Sequence, residues 1–271
     1  MNPLFQNNAV LQCGRRVPVW GTGRNGENIT VTFAGQKVST VATNGVWKIW
    51  LDPMEVNAAP QTLTVQGDST CQITNVLVGE VWVAGGQSNM ERQLGLRAGQ
   101  KPIVNWKQEV AAANYPEIRQ FYVHQTQSFT PQTTVNGEWS VCSPETVTNF
   151  TAVGYFFARD LFQARHVPIG IIHSSWGGTP AEVWASEAAL RKLPDFAAPL
   201  AELKRCAADP ELAHRITLAK QEKWFQEVDP ASKSGAAWSA ADLDTTDWNT
   251  MTLPTYWENA GYPGFDGIFW F

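Results

Sequence analysis

Val81–Leu94 reads VWVAGGQSNMERQL: an apolar run meets Gly85-Gly86 and then presents Gln87, Ser88 and Asn89, a hydroxyl between two amides. A serine hydroxyl becomes a nucleophile when a neighbouring base removes its proton. At a helix N-terminus it would also sit where the macrodipole favours developing negative charge. Gly85 and Gly86 would let a substrate approach the backbone beside it. The same residues have a structural reading. Ser88-Asn89-Met90-Glu91 fits S-x-x-E, the capping box, in which serine caps a helix and Glu91 bonds back to the serine amide. Capping and catalysis are compatible. The motif is not the G-x-S-x-G elbow, because Met90 stands at the second glycine position.

A second stretch, IGIIHSSWGGTPAEVW (Ile169–Trp184), repeats this order: apolar run, Gly177-Gly178, polar residues, helix start. Thr179-Pro180-Ala181-Glu182 is itself a capping box, with proline at the first helical position. Capping leaves Ser174–Gly178 unexplained. Spare backbone N–H groups there, with a side-chain amide, suit an oxyanion hole. Glu91 and Glu182 would make a glycosidase carboxylate pair only by giving up their capping roles. His124 and His173 end or follow strands near the site and are candidate pocket residues; His166 and His214 read as surface residues. No histidine lies in a D-x-x-H context or at metal-ligand spacing from another, so neither a metal nor another cofactor is expected.

In a parallel α/β sheet, ligands bind beyond the carboxyl ends of the strands. VLVGEVWVA, EIRQFYV and VPIGIIHSS read as strands of that kind. GYFFARDLFQARH places Tyr155, Ala158, Leu161 and Phe162 on one helical face, so strand, helix and strand form a βαβ unit. Before it, residues 1–75 are short alternating runs with turn signals at Gly23–Gly26, Gly35, Asn44-Gly45 and Gly67-Asp68, which predicts an antiparallel β-sandwich. Asn44-Gly45 is the strongest hairpin signal. Residues 196–228 read as helical, DPASKSG as a linker, and the Trp-, Pro- and Gly-rich remainder as further short strands. The ending IFWF is an apolar run without a closing turn, which reads as a chain interrupted inside a domain. The expected organisation is a sandwich over 1–75, an α/β domain over 76–228 and an incomplete β-rich module over 229–271.

The totals narrow the function classes. The 271 residues are 44% hydrophobic and 17% charged, with a net charge of -5, so the chain is globular and an improbable partner for nucleic acid or an anionic membrane. No apolar stretch reaches bilayer-spanning length. The N-terminus shows no signal peptide: the expectation is a cytoplasmic protein, or a periplasmic or secreted one if a signal has been removed. Cys13, Cys71, Cys142 and Cys206 form no CxxC pair; they read as buried free thiols, with a Cys13–Cys71 disulfide as the alternative. Thirteen tryptophans fit either sugar stacking or core packing.

GGQSNM, followed downstream by SSWGGTPAEVW, resembles the sialate O-acetylesterase family of SGNH-type hydrolases, close to some acetyl xylan esterases. PLFQNNAVLQ…VPVWGTG, FTAVGYFFARDL and WNTMTLPTYWE…FDGIFWF resemble that family's N-terminal sandwich, the segment before its second motif, and the opening of its inserted β-rich (jelly-roll-like) module. The resemblance implies a three-layer α/β/α core and a metal-free serine esterase acting on O-acetylated carbohydrate. Ser88 would be the nucleophile. Gly154, Gly177, Gly178 and Thr179 would shape the oxyanion hole, with Gln87 and Asn89 supporting the nucleophile loop. His173, Trp176 and Glu182 would line the substrate pocket, with Trp184 as a further wall. Two departures stand out. His173 replaces the usual asparagine of NSSWGG, and the family's Asp-x-x-His-Pro stretch, source of its general base, does not occur in these 271 residues. The isolated chain is therefore expected to be inactive. The rival readings are a non-catalytic carbohydrate-binding protein and a glycosidase.

Overall fold

The computed structural model describes residues 1–229, 231 and 238–271. They fall into two compact units, Met1–Lys192 and Leu193–Phe271. Together they form a mixed α/β protein with a central sheet, and no helix among the described residues is long and apolar enough to cross a membrane.

The first unit opens with β1 (Val10–Gln12), β2 (Val17–Thr22), β3 (Asn28–Phe33), β4 (Gln36–Val41), β5 (Val46–Leu51), β6 (Asn57–Gln66) and β7 (Thr70–Gly86). Alternation decides the buried faces: Trp47, Ile49 and Leu51 of β5 point inward while their neighbours face solvent. These side chains join Val19, Val31, Phe33 and Leu63 in one core, where each large apolar side chain is worth about 1.5–3 kcal/mol. The Asn44-Gly45 turn forms, with positive φ at both residues (53° and 78°), but its ladder stops at a single bridge between Thr43 and Val46. Beyond that bridge the two strands separate, β4 pairing with β3 and β5 with β2. The two-residue hairpin lies instead at Ala34-Gly35 (φ 48° and 75°).

β7 joins the all-β part to the α/β part. Residues 70–78 run antiparallel to β6, and Glu80–Gly86 run parallel to a later strand. The change of pattern at Asn75 falls inside this strand, at a left-handed residue (φ 56°) whose carbonyl and side chain are both bound by buried Arg119. There follow α1 (Ser88–Glu91), α2 (Trp106–Ala112), β8 (Tyr115–Val123), β9 (Gly137–Cys142), α3 (Ala152–Arg165), β10 (Ile169–Ser175) and α4 (Glu187–Leu190). The sheet order is β4-β3-β6-β7-β10-β8-β9, with β1 also on β7; β7, β10 and β8 are mutually parallel. The β8–α3–β10 crossover is the expected βαβ unit, with β9 inserted as an antiparallel edge. Thr151 caps α3 by accepting from Gly154 N–H, and His166 closes it in a left-handed conformation. Tyr155 and Ala158 are buried against Ile118, Ile169 and Ile171, while Leu161 and Phe162 lie half-buried at the margin.

The second unit contains α5 (Ala197–Ala208) and α6 (Pro210–Val228), two helices where one helical run was read, because Pro210 cannot continue α5 and opens α6 instead. The linker read at 229–235 lies, apart from Asp229 and Ala231, outside the described residues. Among residues 238–271 none of the expected short strands forms; Pro254, Gly261, Pro263 and Gly264 interrupt the backbone every few residues. Aromatic packing takes over there, with Trp257, Tyr262 and Phe265 around Phe269 and Trp238 against Trp248 and Trp270. All four cysteines are free. Cys142 and Cys206 are buried as expected; Cys71 is instead exposed on the outward face of β7, and Cys13 is half-buried against the core.

Candidate active site

Strand register brings the two glycine-containing loops together. β10 lies directly beside β7, with His173 opposite Ala84, Ser174 opposite Gly85 and Ser175 opposite Gly86. Both strands therefore end at one level, and Trp176 N–H donates to the Gly86 carbonyl at 3.0 Å as the loops leave side by side. Ser88 is the exposed first residue of α1. A Cβ built on Gly177 would stand 3.5 Å from Ser88 Cβ, so the serine and the second loop lie side by side.

Neither capping box forms. Gln87, not Ser88, occupies the N-cap of α1, and its Oε1 accepts from Ser88 N–H at 3.3 Å and from Ser88 Oγ at 3.1 Å. Glu91 turns away from the serine amide: its Oε2 accepts Gly177 N–H at 2.5 Å, and its Oε1 accepts from Arg97 at 3.1 Å and from Gln125 at 3.5 Å. Burial opposes ionisation of Glu91, but Gly177 N–H, Arg97 and Gln125 together outweigh it and hold the carboxyl below its ordinary value. In the second loop Thr179 Oγ1 donates to the Trp176 carbonyl at 2.6 Å and accepts from Trp184 Nε1 at 3.0 Å. With that hydroxyl engaged locally, the helix expected from Pro180 is a single 3₁₀ turn, Ala181–Trp184, without a side-chain cap.

Gly177 and Gly178 face the first loop: a Cβ on Gly177 would stand 2.5 Å from Glu91 Oε2, and Gly178, with φ at 78°, donates its N–H to Gln87 Oε1 at 3.4 Å. Thr179, Trp176 and Trp184 line a cleft of about 550 Å³ together with His124, Gln125 and Ser175. Asn89 is exposed beside Ser88, and Glu182 is half-buried in the 3₁₀ turn. Gly154 is buried in the first turn of α3, its N–H bonded to Thr151 Oγ1 at 3.4 Å, and a Cβ there would meet the Thr151 and Ile171 methyls.

His173 lies beneath the site rather than in it. Its ring is 1% exposed, Nε2 is 2.6 Å from Ser175 Oγ, and Nδ1 completes no hydrogen bond. Burial lowers its pKa below the ordinary histidine value, against the pull of the Glu91 carboxylate and the Met90 carbonyl. His124 is on the cleft wall, with Nε2 3.7 Å from Glu138 Oε1. His166 and His214 are exposed, as read. Gln125 was not singled out in the sequence; its Nε2 also donates to the Ser175 carbonyl at 3.1 Å, so it ties β8's exit to both loops. A larger cavity of about 920 Å³ opens among Trp20, Val41, Val46, Trp47 and Lys48, but no serine, histidine or carboxylate lines it.

The structure brings the Ser88 hydroxyl beside a turn that carries the Gly177 and Gly178 N–H groups. Residues 78–207, which contain both loops, match the family model described as a carbohydrate esterase, sialic acid-specific acetylesterase. The crystal structure of a carbohydrate acetylesterase from Xanthomonas citri is 40% identical and superposes with a TM-score of 0.66, over 71% of this chain and 44% of that one. The α/β part of this molecule thus resembles a carbohydrate acetylesterase in sequence and fold. Sialate O-acetylesterases of Rattus norvegicus and Homo sapiens are 35% and 32% identical over 193 residues, 64% of this chain. The chain spans 34% and 36% of those proteins, about a third of their length. Residues 78–207 are thus similar to the sialic acid-specific acetylesterase family.

Proposed function

We propose that the protein is a serine esterase that removes O-acetyl groups from sialic acid or another acetylated glycan, with Ser88 as nucleophile. The observation that carries this reading is the in-register end of β7 and β10, which sets Ser88 against Gly177 and Gly178. Ser88 Oγ attacks the acetyl carbonyl carbon, and the carbonyl π pair moves onto its oxygen. Collapse of that tetrahedral intermediate expels the sugar oxygen, which leaves as the alcohol with a proton, and water then releases acetate from the acyl-serine. Trp176 and Trp184 offer aromatic faces to the sugar in the adjoining cleft. The reading carries with it an SGNH-type layered core behind an N-terminal β-sandwich.

The proton of Ser88 is the weak point. Its hydroxyl bonds to an amide oxygen, which does not act as a base, and His173 is buried against Ser175. We therefore place turnover by the isolated chain roughly 10²–10⁴-fold below that of a site holding a general base. Acetate release from O-acetylated sialic acid and from acetylated xylo-oligosaccharide, with fluorophosphonate labelling, tests both points. Slow release and labelling that vanish in Ser88→Ala are expected. Labelling that persists in Ser88→Ala overturns the assignment. Glycan binding unchanged by that substitution, without any labelling of Ser88, marks a binding module instead.

A further inference from the structure

Building on Ser88 as nucleophile, the geometry points to Gln87 as a gate: its side-chain oxygen occupies the place that the ester carbonyl oxygen must take. Three donors converge on Gln87 Oε1, namely Ser88 N–H at 3.3 Å, Ser88 Oγ at 3.1 Å and Gly178 N–H at 3.4 Å. An sp² oxygen next to the attacking hydroxyl, held by the amide of the nucleophile and by a glycine amide across the cleft, is the environment an acyl oxygen needs in an oxyanion hole. Here that oxygen belongs to the protein. It also engages the Ser88 hydroxyl itself, whose proton is then directed at that contested place.

The bonds differ in how readily they are released. Gly177 N–H donates to the Glu91 carboxylate, a charge-assisted bond that keeps this amide out of the hole. The contacts to Gln87 Oε1 are all longer than 3.0 Å, share one neutral acceptor, and involve exposed residues. A glutamine amide that rotates outward frees Ser88 N–H, Gly178 N–H and the hydroxyl together. The hole is then formed by Ser88 and Gly178, not by Gly177, and substrate binding competes with a resident ligand. Gln87 is a positioning residue that sets affinity for the carbonyl group.

Phenylboronic acid tests this with the 271-residue chain and needs no general base. The Ser88 oxygen donates a lone pair to boron, its proton is released to the buffer, and a boron-bound oxygen takes the contested place. Gln87→Ala is expected to bind the boronic acid about 3- to 10-fold more tightly than the wild type, as competing hydrogen bonds are removed. Gln87→Glu is expected to bind more weakly, because a carboxylate holds the same donors more firmly and repels the boronate. In the ligand-free Gln87→Ala protein the Gly178 amide resonance should shift while that of Gly177 stays. Equal or weaker binding by Gln87→Ala, or an unmoved Gly178 resonance, overturns the gate. Binding that is the same in Ser88→Ala overturns the nucleophile assignment, and the gate with it; Ser88-dependent binding without the opposed Gln87 effects overturns the gate alone. Should Gln87→Ala fail to fold, Gln87→Asn, one methylene shorter, loses the same contacts and is read in the same way.

Discussion

Glu91 fastens the two site loops to each other, and removing its charge should loosen them by a measurable amount. Its side chain is 17% exposed and carries Gly177 N–H, Arg97 and Gln125. Arg97 is itself 40% exposed, so that ion pair contributes at most about 1 kcal/mol. The larger part is the amide: a hydrogen bond to a charged group is worth about 1.5–3 kcal/mol, against about 0.5–1.5 kcal/mol for a neutral one. Glu91→Gln keeps an acceptor for Gly177 and should cost about 1 kcal/mol, whereas Glu91→Ala leaves the N–H unpaired and should cost about 2–3 kcal/mol. For a unit of this size that is a fall in Tm of roughly 2–4 °C and 4–12 °C respectively. The pH dependence supplies a second check. The folded carboxyl titrates below its ordinary value of 4.5, so its contribution is complete above about pH 4.5 and is lost as pH falls through the folded value. Thermal denaturation of wild type and Glu91→Gln should therefore differ near pH 7 and converge as pH falls through the folded value. A gap no larger than that of exposed Glu55→Gln, or one that persists unchanged into acid, would refute the reasoning.

Two further substitutions probe the frame around the site. A Cβ at Gly79 would collide with the Pro168 carbonyl where β7 meets the start of β10, so Gly79→Ala should cost about 1–3 kcal/mol and lower Tm; an unchanged Tm would mean that the two strands are not in close contact there. His173 is held neutral in the fold with a pKa below its ordinary 6.5, so the unfolded chain takes up its proton first as pH falls, and stability declines by up to about 1.4 kcal/mol per pH unit from about pH 6.5 down to the folded value. His173→Gln should flatten denaturant midpoints measured between about pH 7 and pH 5; a slope identical to wild type would place the titration elsewhere.

The sequence carries the strand ends and the glycine turns plainly, because a continuous apolar run followed by Gly-Gly leaves the backbone few alternatives. It does not carry which polar group each amide meets. Ser88 and Glu91 stand at capping-box spacing, yet Glu91 bonds an amide 86 residues away. Capping is a local contest, and the parallel pairing of β10 with β7 brought another backbone donor, with an arginine and a glutamine side chain beside it, within reach of Glu91. The Thr179–Glu182 pattern fails for the same reason, since the Trp184 indole and the Trp176 carbonyl claim the threonine hydroxyl first. Gln125 matters only because β10 lies between β7 and β8, an order that no periodicity encodes. The Asn44-Gly45 turn was legible as a turn, but not the divergence of its two strands into separate sheets, which depends on what each strand packs against.

The helix itself contributes little to charge stabilisation at Ser88. A macrodipole needs several turns of aligned peptides, and α1 spans only Ser88–Glu91, with Arg92 already outside helical geometry. A carboxylate at its far end, Glu91, would oppose an oxyanion at Ser88 were its charge not already drawn by Gly177 N–H, Arg97 and Gln125. Stabilisation must therefore come from individual N–H groups fixed by the sheet register. Because Gly177 is held by the carboxylate and Gly178 only by an amide, the register selects Gly178 as the donor free to change partners. On this account the second glycine of the turn, with its positive φ, is the one whose replacement by alanine should strike at chemistry, whereas replacing the first should strike at the joint between the loops.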